Sequence, residues 1–355
     1  MTKVSVIVTF FDEYAYLHKA IYSVVSQYIR EYLEIIIVVD NPMVIKTYLE
    51  QVSDFHKNIK IIYNEQNWGL SKSRNIGINN STGDYILFLD SDDYLISGTL
   101  QYLIEHAVIN EHDMTHGNCM ASYGNGLNKT NFKLLSRDKI FFRRKLEHTD
   151  IHSQPFFQFI SHSWKCIYKR DFLQREKLYF DEAQKKFEDR LFVLSSITKA
   201  KSVGSLPLVY RVWRQRNNSI SNSYKTLNDM HLMIDLIFKC LDIFEKNSVV
   251  DNKNKLFLMR EECLSFRRLY LDTPILKTVS RNPEEDKSLT QKVLNLSNKI
   301  RPEIFLQNDY YMHFLMKPKG YKKPFKRSNT QQIIELLTLI QHAKWEQIYN
   351  KISDN

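Results

Sequence analysis

The sequence predicts an α/β protein: a mainly parallel sheet flanked by helices, followed by an all-helical C-terminal region. Three observations predict it. Residues 4–89 alternate compact apolar runs with stretches of helical spacing. The predicted strands of that stretch lead into polar or acidic residues. Beyond residue 222 only helical spacing is left. Strands separated by helices form βαβ units, whose right-handed crossovers place helices on both faces of a parallel sheet.

Val4–Thr9 is a compact β-branched run, as a buried strand requires. Tyr14–Tyr28 carries Leu17, Ile21, Val24, Val25 and Tyr28 at helical spacing. Leu33–Val39 is a second buried strand, ending in Asp40. Val44–Phe55 reads as a helix, Ile59–Tyr63 as a strand, Leu70–Asn79 as a helix and Tyr85–Leu89 as a fourth strand. Next come a helix over Ser97–Asn110 and a strand over Thr115–Tyr123, turned by Gly124 and Gly126. Glu188–Lys199 is a helix, and Ser202–Arg211 a strand whose Pro207 marks a sheet edge. Leu227–Lys246, Asn254–Leu271, Ser288–Ile300 and Gln331–Lys351 then read as helices. The expected domains are residues 1–222 and 223–355.

Only nine of 355 residues are glycine and 43% are hydrophobic, which excludes a collagen-like or disordered chain. The four cysteines are widely spaced and follow no metal-ligand pattern, as in a reduced, cytoplasmic protein. No apolar run reaches the roughly 20 residues that span a bilayer. The expectation is a cytoplasmic protein, soluble or held peripherally at the inner face of the plasma membrane. The net charge of +10 admits nucleic acid, an anionic membrane or a phosphorylated substrate as partner. Residues 317–327 hold six of the cations and no acid. Such a segment suits anionic lipid, at about 1 kcal/mol per cation near the surface, or it is a solvated loop. No recognition motif accompanies it, so nucleic acid is not an expected partner. Acceptor binding, homo-oligomer formation and membrane docking are all open to the helical region.

The chemistry concentrates at strand ends. The run Tyr85–Leu89 stops at Asp90-Ser91-Asp92-Asp93, with three acids in four positions. Hard divalent cations take oxygen ligands, often one or two carboxylates together with substrate phosphates. Open α/β sheets collect ligands beyond the carboxyl ends of their strands. The bland alternative is an acidic turn that merely ends a strand. Yet Thr9-Phe-Phe11-Asp-Glu13, Asp40 and the segment Asn64–Gly77 follow the three earlier strands in the same manner. No glycine-rich phosphate loop of the Walker or dinucleotide type is present. His148, His152 and His162 fit no metal template.

Two segments taken in order, Asn67-Trp-Gly-Leu-Ser-Lys-Ser-Arg74-Asn-Ile-Gly77 and Asp90-Ser91-Asp92, resemble the nucleotide-binding half of the family 2 glycosyltransferases. Phe187-Glu188-Asp189 resembles that family's Glu-Asp motif, and Tyr210-Arg211 through Ser219-Ile-Ser221 its closing segment. The likeness covers residues 1–222. It implies a Rossmann-like sheet of the A-type glycosyltransferase (GT-A) fold. It further implies a metal-dependent, inverting enzyme using Mn²⁺ or Mg²⁺. The sugar would pass from a nucleotide-diphosphate donor, UDP-linked, to a hydroxyl of a glycan or lipid-linked glycan. The implied setting is bacterial surface-polysaccharide assembly, such as capsule, lipopolysaccharide or teichoic acid.

The resemblance also implies roles. Asp189 is the catalytic base, at a helix start where the macrodipole favours a negative side chain, and Glu188 helps to place the acceptor. Asp40 contacts the nucleotide base, where a carboxylate accepts from the imide N–H of uracil. Asp90 lies near the ribose and shares the metal with Asp92. Thr9, Phe11, Glu13, Asn67, Arg74 and Ser91 complete the donor site, with Arg74 reaching the base or diphosphate. Arg211 and Arg214, with Arg216, suit the diphosphate because guanidinium makes bidentate bonds to phosphate. Trp164 and Lys165 lie on the acceptor side. Asn41-Pro42-Met43 departs from the family's usual turn after Asp40. The rivals are a nucleotidyltransferase and a non-catalytic sugar- or lipid-binding module; nucleotide-sugar hydrolysis with and without metal separates catalysis from binding.

Overall fold

The structure is a computed structural model. It describes residues 2–29, 32–123, 131–134, 146–149, 157, 160, 162–215, 226–246, 275–299, 335 and 337–353. These fall into two compact units, residues 1–222 and 223–355. The expected helix Asn254–Leu271, the turn at Gly124 and Gly126, His152, Arg216, the Ser219–Ser221 segment and the basic stretch 317–327 lie outside the described residues.

The first unit alternates as its periodicity dictates: β1 (Val4–Phe10), α1 (Tyr14–Val25), β2 (Leu33–Val39), α2 (Lys46–Ser53), β3 (Ile59–Tyr63), α3 (Leu70–Asn80) and β4 (Tyr85–Asp90). After these come β5 (Tyr94–Leu95), α4 (Leu100–Ile109), β6 (Met114–Tyr123), β7 (Asn131–Leu134) and β8 (Leu146–Thr149). A 3-10 turn at Ser163–Lys165 leads into β9 (Cys166–Lys169), α5 (Arg170–Arg175), α6 (Glu188–Lys199) and β10 (Val203–Gln215). All the strands join one sheet in the order β3-β2-β1-β4-β9-β6-β10-β5, with β7 beside β6 and β8 beside β10.

The β3-β2-β1-β4 half is parallel throughout. Beyond it β9 runs antiparallel to both β4 and β6, while β10 is parallel to β6. Every residue of β1 is buried, as a strand covered on both faces must be. Its neighbours Ile35, Ile37, Leu87 and Leu89 pack with Leu17, Ile21 and Leu103 in the core. On the α3 side, Gly77 permits a close approach. A Cβ there would stand 2.3 Å from Ile7 Cγ2, so only glycine lets α3 lie this near β1.

Two sequence expectations need correction. β10 is not an edge strand: it pairs with β6 on one side and with β5 and β8 on the other. Pro207 is accommodated by a register shift between Leu206 and Val209, where no ladder bond needs its missing N–H. In the second unit, Gln331–Lys351 is not one helix. A helical segment at 337–341 is separated from α10 (Trp345–Ser353) by Ala343 at φ 53°, a left-handed residue that breaks the helix.

The second unit is helical, with α7 (Leu227–Lys246), α8 (Ile275–Arg281), α9 (Lys287–Lys299) and α10. Lys292 on α9 meets Asp235 on α7 at 2.6 Å, and His231 meets Asp286 at 2.8 Å. Leu289, Val293 and Leu296 supply a fully buried stripe at helical spacing. Among the described residues no helix is long and apolar enough to cross a membrane.

Candidate active site

The chain runs outward from β1 through β2 to β3, then returns to the far side of β1 as β4. Such a reversal opens a crevice beyond the two strand ends, where α/β sheets bind ligands. Thr9 of β1 stands in register with Asp90 of β4 across it. Glu13 ties the two ends together. Its Oε2 accepts the Phe11 and Asp12 N–H groups at 3.2 and 3.3 Å and the Ser91 hydroxyl at 2.8 Å. Phe11 is 40% exposed, and Asn67 is also exposed.

One guanidinium gathers three acids. Arg74 Nη2 lies 3.0 Å from Asp90 Oδ1, while Nη1 lies 2.8 Å from Glu188 Oε1 and 3.1 Å from Asp189 Oδ1. A planar fork of several donors suits this bridging, which a single ammonium could not reproduce. Arg74 is 1% exposed. Burial works against its charge, but Asp189, Asp90 and Glu188 outweigh it and raise its pKa. Arg74 is the buried hub that brings a strand-end acid to two acids at a helix start. Burial, then the Asp189 charge, pushes the Glu188 carboxyl up to about 7, against the opposing pull of Arg74.

The segment between β3 and Gly77 explains how the hub is held. Asp40 Oδ1 accepts the Trp68 N–H and the Asn64 amide, each at 2.8 Å, and Oδ2 accepts the Gly69 N–H at 2.8 Å. Asp40 thus anchors the start of α3, where an anion meets the positive end of the helix. It is 7% exposed. Its oxygens are engaged by the protein's own loop. Asn64 also donates to Ser73 Oγ at 3.1 Å. Asn75 exchanges bonds with Phe180, receiving its N–H at 2.8 Å and donating to its carbonyl at 2.9 Å. That pins the chain leading to α6. At Phe187 the backbone turns left-handed, φ 64°, and so delivers Glu188 and Asp189 into the first turn of α6. A bulky residue in that region costs on the order of 1–3 kcal/mol, a strain that gathers at functional sites.

A second buried arginine holds the Asp-x-Asp turn. Arg211 is 0% exposed. Its Nη2 meets Asp93 Oδ2 at 2.7 Å, and its Nη1 donates to the Phe88 and Trp164 carbonyls at 2.7 and 3.1 Å. Arg211 Nη2 is also 3.8 Å from Asp90 Oδ2. Burial pushes Asp93 up to about 7, with Arg211 opposing. Trp164 and Lys165, expected on the acceptor side, are buried, at 3% and 1% exposed.

Arg214 differs. Its backbone N–H bonds Asp93 Oδ1 at 2.9 Å, but its guanidinium lies over the Tyr16 and Tyr94 rings, 4.9 Å from each. Lys19 Nζ lies 4.1 Å from the Tyr94 centroid. Partial burial and then Arg214 lower the lysine's pKa. Lys19 was missed in the sequence, although its place three residues after Tyr16 on one helix face was the available signal.

Among the described residues no group of three or more His, Cys, Asp or Glu is arranged to hold a metal ion. The donor set present fits a hard divalent cation only as a shared site. Asp92, half-exposed at the strand tip, and Asp90 can offer carboxylate oxygens, and substrate phosphate with water would complete the shell.

Comparison with known proteins bears on the fold and the family. The model of glycosyl transferase family 2 matches residues 5–175. The uncharacterised glycosyltransferase EpsJ of Bacillus subtilis is 30% identical over 241 residues, covering 64% of this chain and 66% of that protein. TarS of Staphylococcus aureus, a poly(ribitol-phosphate) β-N-acetylglucosaminyltransferase, is 25% identical over 244 residues, covering 67% and 40%. A GalNAc(5)-diNAcBac-PP-undecaprenol β-1,3-glucosyltransferase of Campylobacter jejuni is 29% identical over 229 residues, covering 63% and 69%. The chain thus spans just under two thirds of EpsJ and about two fifths of TarS. The crystal structure of TarS residues 1–349 with UDP-GlcNAc matches with a TM-score of 0.69 at 16% identity, over 98% of this chain and 89% of that one. At that identity the likeness is one of fold, the GT-A fold. Motif order, sheet topology and these relatives agree with the match of residues 5–175 to glycosyl transferase family 2.

Proposed function

We propose that the protein is an inverting glycosyltransferase that moves a sugar from a UDP-linked donor to a hydroxyl of a glycan or lipid-linked glycan. The setting proposed is surface-polysaccharide assembly. The observation that carries the reading is the Arg74 hub, which holds Asp90 of a strand end against Glu188 and Asp189 of a helix start. Donor-side and base-side carboxylates are thereby held on one guanidinium, the close positioning that a single displacement requires.

In that displacement the acceptor oxygen bonds to the anomeric carbon as the carbon–oxygen bond to the diphosphate breaks. The electron pair of the broken bond leaves with UDP, and the anomeric centre inverts. The hydroxyl proton passes to Asp189. Oδ1 of Asp189 already accepts from Ser163 and Arg74, so Oδ2 is the oxygen assigned to the proton. A Mn²⁺ or Mg²⁺ ion held by Asp92 and Asp90 would neutralise charge on the leaving diphosphate. Lys19 and Arg214 supply cationic charge for the same phosphates. Thr9, Phe11, Glu13, Asn67 and Ser91 line the donor side of the crevice in this reading.

The relatives support the substrate class. TarS acts with N-acetylglucosamine on poly(ribitol-phosphate), and the Campylobacter jejuni protein glucosylates an undecaprenol-linked glycan. The decisive experiment measures UDP release and product formation from UDP-GlcNAc and UDP-glucose, with Mn²⁺, Mg²⁺ or EDTA. Metal-dependent turnover that disappears in Asp92→Asn and Asp189→Asn is expected. Normal sugar transfer by Asp189→Asn would refute the base assignment.

A further inference from the structure

Burial of Trp164 leaves the question of what an acceptor meets beside Asp189. The side chains next to it form a cluster of three mutually tilted rings. His162 and Trp164 have centroids 4.7 Å apart at 31°, Trp164 and Trp213 are 6.0 Å apart at 39°, and His162 and Trp213 are 6.1 Å apart at 41°. Trp164 is the buried back of the cluster, covered by the Arg211 guanidinium at 4.5 Å. His162 and Trp213 are half-buried and so reach the surface.

The cluster is tied to the base through Ser163. His162 immediately precedes Ser163, whose N–H and hydroxyl bond Asp189 Oδ1. Trp213 lies two residues beyond Arg211 on β10, and strand alternation puts both on one face, against Trp164. Arg214 points to the other face, over Tyr16 and Tyr94. The end of β10 therefore presents an aromatic ring to the base side and a cation to the α1 side.

An acceptor hydroxyl has to come within hydrogen-bond reach of Asp189, and among the described residues the half-buried side chains beside Ser163 and Trp164 are aromatic. A pyranose ring offers a face of C–H groups, and the electron-rich face of an aromatic ring attracts such groups. An open-chain alditol phosphate has no such face and calls for cations instead. We infer that His162 and Trp213 form the acceptor subsite and that the unit accepting the sugar is a pyranose ring of a glycan, not an alditol phosphate. The inference rests on Asp189 as the base.

Transfer assays test it with the full chain. The donors are UDP-GlcNAc and UDP-glucose. The acceptors are the methyl β-pyranosides of glucose, galactose, GlcNAc and GalNAc, set against ribitol-phosphate oligomers. A methyl pyranoside is expected to accept sugar and the ribitol-phosphate oligomers are not. Trp213→Ala should raise KM for that pyranoside about tenfold with kcat within about threefold, the pattern of lost binding. Trp213→Phe, which keeps a π-face, should recover most of the loss, and His162→Ala should also raise KM. Unchanged KM in Trp213→Ala, or transfer to ribitol phosphate with none to pyranosides, overturns the platform. A wild-type protein that neither hydrolyses nor transfers from either donor overturns the transferase reading itself, so the two failures are distinct.

Discussion

Ser163 donates both its backbone N–H, at 3.1 Å, and its hydroxyl to a single oxygen of Asp189, Oδ1. Arg74 Nη1 adds a third donor to the same atom. Three donors on one oxygen set the carboxylate plane and leave Oδ2 without a donor among the described residues. Asp189→Asn would keep the shape and remove the proton acceptor. UDP affinity measured by calorimetry should hold within about twofold while kcat for transfer falls about 10²–10⁴-fold, the usual weight of a positioned base.

Removing the hub should cost stability as well as activity. Arg74→Met would leave Asp90, Glu188 and Asp189 facing one another without their cation. Loss of one side of a buried ion pair is worth about 3–5 kcal/mol. Urea unfolding should reveal a loss of that size, and Arg74→Lys should recover only part of it, since an ammonium cannot span the three acids. A variant as stable as the parent would show that the hub contributes nothing to folding.

The raised pKa of Glu188, about 7 and caused first by burial, has a definite sign in stability. The folded protein keeps that proton where the unfolded chain, titrating near 4.3, has lost it. The unfolded state thus binds fewer protons between about pH 4.5 and 7, and stability falls as pH rises through that window. Glu188→Gln removes the effect at this site. Unfolding free energies at pH 5 and pH 8 should therefore differ less in the variant than in the parent. An equal difference in both would assign the slope to other groups, with Asp93, also raised to about 7, the first to examine.

Lys19 and Arg214 share the Tyr94 ring. If they serve the diphosphate, Lys19→Ala and Arg214→Ala should each weaken UDP binding about tenfold, or about 1.4 kcal/mol, and leave uridine binding unchanged. Rising salt should narrow the gap, as screening requires. Equal losses for uridine and UDP would point to a general distortion of the site.

Gly77→Ala probes the seat of the hub. The new Cβ would stand 2.3 Å from Ile7 Cγ2, and overpacking of this kind costs about 1–3 kcal/mol. Because α3 carries Arg74, transfer activity should fall with stability. A thermal midpoint equal to the parent's would show that α3 can shift without cost.

The residues alone determined the alternating strands and helices of residues 4–90, because a period of two or of 3.6 is written directly in the order of apolar side chains. They also announced that chemistry lies at strand ends, since an apolar run that stops at Asp90-Ser91-Asp92-Asp93 has no packing reason to do so. Short or irregular elements escaped: β9 and α5 span four and six residues, too few to show a period. Pro207 reads as an edge residue because sequence registers its missing N–H but not the register shift that accommodates it.

Only the tertiary structure decided what the charges do. Arg74 and Arg211 look like ligands for phosphate in a linear sequence, since guanidinium groups ordinarily face water or an anion. Their partners are distant: Glu188 lies 114 residues beyond Arg74, and Asp93 lies 118 residues before Arg211. Pairings over such separations arise when helices and strands pack, and no local pattern encodes them. The same packing buried Trp164 in its 3-10 turn and left Trp213, near the open end of β10, half-buried.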